Sequence, residues 1–299
     1  MNIYFDPQYN ATTVAFETTR KATDVAQSLR RRPVTGTTVV APSAEMIAGA
    51  ATALPLLHNP AYIDALKTGE PRRLAASNGI GWDDQLFGAV TASSAGVVAA
   101  AFDAMEHGTA GSLSSGLHHA RYNYGNGFCT VNGLALAAKA VCEAVPNERV
   151  VIVDLDAHCG GGTANLLYAN DLDRVSQFDL SVSPFDCDYK TAPDRVRRIV
   201  RNPAAYLTEV EELLAGVPTD KVAVVLYNAG MDPHEEAGGL YGIDAEMLRE
   251  RERMVFRWAE EAGLGIAFVL AGGYTIGLTM DELVGLHRFT VEEAAAVQP

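Results

Sequence analysis

The sequence predicts an α/β fold in which a central, mostly parallel sheet carries helices on both faces. Three observations predict it. Short apolar, β-branched runs alternate along the chain with longer stretches of helical pattern. Reactive, glycine-containing segments follow directly after several of those runs. No internal repeat or low-complexity linker breaks the alternation, and 48% of the 299 residues are hydrophobic, enough for a large core.

In chain order, the strand candidates are "NIYF", "TTVV", "RVVIV", "RVSQFDLSVS", "KVAVVLY" and "GIAFVLAGG". Each is short and dominated by residues that suit a buried pleated surface. Helical patterns lie between them, at 85–105, 132–144, 206–215 and 245–262. The clearest polar loop is "HGTAGSLSSG", residues 107–116, rich in Gly and Ser. Strands that alternate with helices in this way build crossover units, read here as one domain over 1–299.

Charge narrows the function classes. Lys plus Arg number 23 against 37 Asp plus Glu, a formal net charge of −14. Such a field repels phosphate backbones and anionic lipid surfaces, which argues against nucleic-acid and membrane partners and suits cationic substrates. The four cysteines, Cys129, Cys142, Cys159 and Cys187, have no C-x-x-C spacing, as expected of a reduced, cytoplasmic chain. The start "MNIYFDPQYN" lacks a basic region followed by an apolar one, and no segment approaches 18 uninterrupted apolar residues. A homo-oligomer is left open.

The segment "DLDAHCGGG", residues 154–162, follows "RVVIV". In extended chain Asp154, Asp156 and His158 share one face, so two carboxylates and an imidazole converge. A lone Asp there would most simply cap the next helix; D-x-D-x-H after a buried strand points instead to a metal. In parallel sheets ligands bind beyond the carboxyl ends of the strands. There "KVAVVLY" delivers Asp232, "GIAFVL" delivers Tyr274 after two glycines, and "GSLSSGLHHARYNYGNGFC" delivers His118 and His119. Asp156, His158 and Asp232 would make a three-ligand site for a divalent ion with positions left open for water and substrate. Asp154 would orient His118, His119 would act as general base, and the Tyr274 phenol would donate to an oxyanion. This set suits amide hydrolysis without a covalent intermediate.

Taken together, "GLHHARYNYGNGFCTVN", "VDLDAHCGGG", "NAGMDP" and "LAGGYT" resemble the zinc-dependent histone deacetylase superfamily, which includes acetylpolyamine amidohydrolases. The resemblance runs from about Val39 to "DELVGLHRFTVEEA". It implies the arginase/deacetylase-like fold, Zn2+ (with Fe2+ or Co2+ as substitutes) at Asp156, His158 and Asp232, a structural K+, and an acyl-lysine, acetylpolyamine or related acylated amine as substrate. By the same resemblance Gly127 and Phe128 line the acyl-lysine channel, with Phe185 as its far wall. Asp83 or Asp84, in "NGIGWDDQLF", is a candidate rim carboxylate that grips substrate.

The chain departs from the family pattern after His158. Its run is "HCGGG", and Gly161 stands where many members carry the acid that orients the second tandem histidine. His119 is therefore expected to be held by a backbone carbonyl, water or another side chain. The segment "SVSPFDCDYKTAPDRV" also lacks the usual Gly-Thr-Gly. Two other classes remain: a non-catalytic binder that keeps the pocket, and a ureohydrolase of the same fold. The second would need a further Asp two residues after His158, where Gly160 stands.

Overall fold

The computed structural model describes residues 1–14 and 17–297. Its eight strands, β1 (Asn2–Tyr4), β2 (Thr38–Val40), β3 (Thr109–Ser112), β4 (Arg149–Asp154), β5 (Val175–Ser181), β6 (Arg195–Ile199), β7 (Val222–Ala229) and β8 (Ile266–Leu270), form one sheet in the order β2-β1-β3-β8-β7-β4-β5-β6. Every pairing is parallel. The connections carry α1 (Glu17–Arg31), α2 (Ala44–Leu57), α3 (Pro60–Thr68), α4 (Arg72–Ala75), α5 (Leu86–His107), α6 (Gly133–Ala144), α7 (Gly161–Ala169), α8 (Tyr206–Ala215), α9 (Ala245–Glu261) and α10 (Met280–Ala296).

Alternation along the strands sorts the core into two layers. Val151, Val153, Val225, Tyr227 and Phe268 pack with α1, α8, α9 and α10. Val150, Ile152, Val224, Leu226 and Val269 face α5 and α6 on the other side. Both faces are covered, so β4 and β7 read as continuous apolar runs. The 22-residue α5 is apolar enough to cross a membrane by composition, but 78% of its apolar window is buried inside the fold. Its hydrophobicity serves the packing against α2, α6 and β3.

One segment corrects the sequence reading. Thr109–Ser112, inside the stretch read as a polar loop, is the fully buried strand β3. Small residues are required there: a Cβ on Gly111 would collide with the ring of Phe268 on β8. The size of a cross-strand neighbour overrode local propensity. The edge strand β6, sequence "RVRRI", is half-buried and was also missed.

Candidate metal centre

The carboxyl ends of β4, β7 and β8 are adjacent in the sheet, and their following loops meet over it. Asp154 ends β4, and Asp156 and His158 lie just beyond. Asp154 is buried; its Oδ2 pairs with His118 Nδ1 at 2.7 Å, and its Oδ1 accepts from Asn228 Nδ2 at 2.8 Å. Asp156 Oδ1 accepts from the His158 amide at 3.0 Å, and its Oδ2 from the Gly272 amide at 2.7 Å. Asp232 Oδ1 accepts from the Ala157 amide at 2.9 Å. Its Oδ2, buried and without a hydrogen-bond partner, lies 3.2 Å from His158 Nδ1.

These groups fit a divalent ion. The ligand atoms of Asp156, His158 and Asp232 lie within 4.8 Å of one another, and Asp156 also joins a second such cluster with His118 and His119. Two buried carboxylates repel across this site, and the His158 ring, 3.2 Å from both Asp156 Oδ1 and Asp232 Oδ2, stands against their charge, so a divalent cation suits the centre. Glycines make the convergence sterically possible. A Cβ on Gly230 would stand 2.8 Å from both Asp156 Oδ2 and Asp232 Oδ1, and one on Gly272 would collide with Asp232 and Asp156. A mixed oxygen and nitrogen set suits zinc and also ferrous iron or cobalt.

The electrostatics follow the contacts. Burial and the Asp156 charge push the Asp232 carboxyl up. Asp156, despite burial, is held far below the usual carboxylate range by His118 and His158. Burial opposes the charge on His158, but Asp156 and Asp232 outweigh it and push the ring up to about 11, so an ion must displace that proton to bind. His118 is likewise buried yet raised to about 10 by Asp154 and Asp156; an ion held by Asp156 takes part of that pull away. His119 moves the other way, down to about 4, through burial and the neighbouring His118 charge. Neutral His119 beside a charged His118 is an arrangement in which only the former can accept a proton.

One aromatic ring borders this centre, and two more meet one another on neighbouring loops. Phe185 meets the His119 ring edge-on at 5.0 Å and the His158 ring at 5.7 Å, with 45% of its surface exposed. Gly127, at φ +51°, lets the backbone press on His119, where a Cβ would come within 2.5 Å of Cδ2. Phe128 lies 6.4 Å from the Tyr274 ring. The Tyr274 amide donates to Ala237 O at 3.2 Å, which fixes the turn after β8. Asp83 stands differently from a substrate-gripping acid. Both its oxygens are engaged by Thr12 and Thr13, at 2.6–2.9 Å, and by the Gln85 amide at 3.1 Å. It pins the N-terminal segment to the start of α5. Asp84 is exposed beside it.

Three supporting residues escaped the sequence reading. Asp186 Oδ2 pairs with His119 Nδ1 at 2.8 Å and accepts from the Gly162 amide at 3.2 Å, while its Oδ1 pairs with Arg121. Arg251 of α9, fully buried, donates to Leu155 O at 3.1 Å and pairs with Glu252 at 2.5 Å, so it holds the backbone between Asp154 and Asp156. Lys21 of α1, also fully buried, donates to Ala271 O at the root of the Tyr274 turn, and burial drives its ammonium down to about 7. Gly161 was the one signal, since it left His119 without its expected acid, but it did not say which residue takes that place.

A sequence model of the histone deacetylase domain matches residues 15–183, more than half of the chain. An uncharacterized protein of Picosynechococcus sp. is 32% identical over 235 residues, covering 74% of this chain and 75% of that protein. Histone deacetylase 2 of Arabidopsis thaliana is 30% identical over 186 residues, 60% of this chain and 48% of the plant protein, so the match spans about half of its length. In structure, the acetylpolyamine aminohydrolase of Burkholderia pseudomallei superposes with a TM-score of 0.77 over all of both chains at 19% identity, which shows a shared fold. On its matched domain, its arginase/deacetylase-like parallel sheet and the order of its motifs, the chain belongs to the histone deacetylase superfamily.

Proposed function

We propose that this protein is a metal-dependent hydrolase of linear amides that removes an acyl group from an acylated amine. The observation that carries the reading is the convergence of two buried carboxylates, Asp156 and Asp232, on the His158 ring within 4.8 Å of one another, directly beside the tandem histidines. Asp156, His158 and Asp232 would hold the ion, zinc by preference. When bound, that ion polarises a carbonyl and lowers the pKa of a water. His119, neutral and with Nδ1 engaged by Asp186, presents Nε2 to take the proton of the attacking water and pass it to the departing amine. His118, charged between Asp154 and Asp156, favours negative charge developing nearby. The Tyr274 hydroxyl donates to the oxyanion, and Phe185, Phe128 and Gly127 form an apolar passage that excludes water from the reacting bond.

The acidic surface, at net charge −14, favours an amine-bearing substrate such as an acyl-lysine or an acetylated polyamine. Membership in a deacetylase family and the fold shared with an acetylpolyamine aminohydrolase support that class. Gly161 would favour the non-catalytic alternative; against it stands the His119–Asp186 pair, which gives His119 an orienting acid. The test is zinc-loaded protein incubated with acyl-lysine peptides and acetylated polyamines, with and without a hydroxamate. Turnover blocked by hydroxamate is expected. Tight hydroxamate binding with no turnover of any substrate would make the protein a binder, and elemental analysis of the protein as purified, before zinc loading, showing two manganese ions per chain would make it a ureohydrolase.

A further inference from the structure

Asp186 lies 67 residues beyond His119, on the loop after β5. Its side chain is 2% exposed, and every carboxylate lone-pair direction that matters is occupied: Oδ2 by His119 Nδ1 and the Gly162 amide, Oδ1 by Arg121. Arg121 in turn reaches Asp188 Oδ1 at 3.1 Å. The loop itself is anchored on three sides. The Cys159 amide donates to Phe185 O at 3.2 Å, the Tyr189 hydroxyl donates to buried Asp179 at 2.5 Å, and Arg197 donates to the Cys187 and Tyr189 carbonyls. Asp186 adopts φ +58°, the left-handed region that aspartate enters more readily than most non-glycine residues.

Gly161 and Asp186 exclude one another's alternatives. A Cβ on Gly161 would stand 2.6 Å from Asp186 Oδ1 and 2.7 Å from its Cγ, and would collide with its backbone oxygen. Any side chain at 161 therefore displaces Asp186, and the absence of one there opens the space that Asp186 fills. We infer that Asp186 is the positioning residue of the general base: it has taken over from position 161 the task of orienting His119, holding the proton on Nδ1 and leaving Nε2 free to accept. The inference rests on the proposed role of His119 and adds the residue that makes that role possible here. It also gives the loop a second duty. Phe185, the preceding residue, packs on both His119 and His158, so the channel wall and the orientation of the base are set by consecutive residues of one loop.

The test compares wild type, Asp186→Asn and Asp186→Ala, all zinc-loaded. In Asp186→Asn every seating of the amide sets an N–H against a donor, either Arg121 or the Gly162 amide and His119. Asparagine tolerates φ +58°, so that variant keeps the loop, while Asp186→Ala removes both acceptor oxygens outright. In 15N-histidine NMR, with His119→Ala used for assignment, wild type is expected to show the His119 proton on Nδ1. Both variants are expected to lose that signal and about 10² in kcat, with KM and zinc content unchanged. A wild-type Nδ1–H signal or wild-type kcat in either variant, at wild-type melting temperature and zinc content, would overturn the assignment. If wild type turns over no substrate, the proposed function fails while the NMR comparison still decides the role of Asp186.

Discussion

The amide of Gly272 donates to Oδ2 of Asp156 across 2.7 Å, so the turn that carries Tyr274 is tied to a candidate metal ligand at the end of a different strand. A side chain at 272 would point at Asp156 Oδ2 and Asp232 Oδ2 together. Gly272→Ala is therefore expected to abolish zinc binding and to lower turnover by more than about 10², since misplacing groups by about 1 Å costs that much. Metal analysis beside circular dichroism checks it: a folded variant with full zinc content would refute the expectation.

Zinc should stabilise the protein measurably. At a hundred times its dissociation constant the ion adds about 2.7 kcal/mol, a rise of about 5 °C in Tm for a chain of this size. Asp232→Asn removes a buried charge that repels Asp156, so without zinc it should melt no lower than wild type, and zinc should shift it little. Calorimetry with and without a chelator separates these cases; an equal zinc shift in both proteins would remove Asp232 from the ligand set.

Tyr274→Phe deletes one hydroxyl and little volume. Turnover is expected to fall about 10²–10³ at unchanged zinc content, the usual cost of losing one oxyanion donor. Wild-type turnover at saturating substrate would reduce Tyr274 to a packed aromatic beside Phe128.

The acid limb of stability should report Asp186. Burial opposes ionisation of this carboxyl, but the bond from His119 and the charge of Arg121 outweigh it and hold the group below the usual range. A depressed folded value means that the unfolded chain takes up the proton first. The contribution is present above the unfolded value of about 4 and is lost as pH falls through the folded one. Asp186→Asn should accordingly show a shallower loss of stability below about pH 4 in denaturant titrations; an identical slope would show that the pairing does not survive in solution.

Much of this centre was legible in the sequence because its groups obey a local period. Asp154, Asp156 and His158 repeat every second residue after an apolar run, and the His-His and Gly-Gly-Tyr segments follow strands whose ends the parallel topology brings together. What stayed hidden depends on contacts between distant segments. Asp186 reaches His119 from a loop with no periodicity, and Arg251 supports Leu155 from 96 residues away. β3 was unreadable for a related reason, since its "TAGS" is chosen by the bulk of Phe268 rather than by strand propensity. Asp83 and Asp84 show the same limit, since an acid in a glycine-rich loop looks alike in sequence whether it faces a ligand or, as Asp83 does, two threonines.

The steric conflict between positions 161 and 186 also makes the two positions interdependent. A side chain at 161 is costly while residue 186 keeps its present place, so the effect of a substitution at either position is set by the residue at the other. The pair is a unit of covariation: related chains are expected to carry a side chain at 161 only where the loop around 186 is built differently.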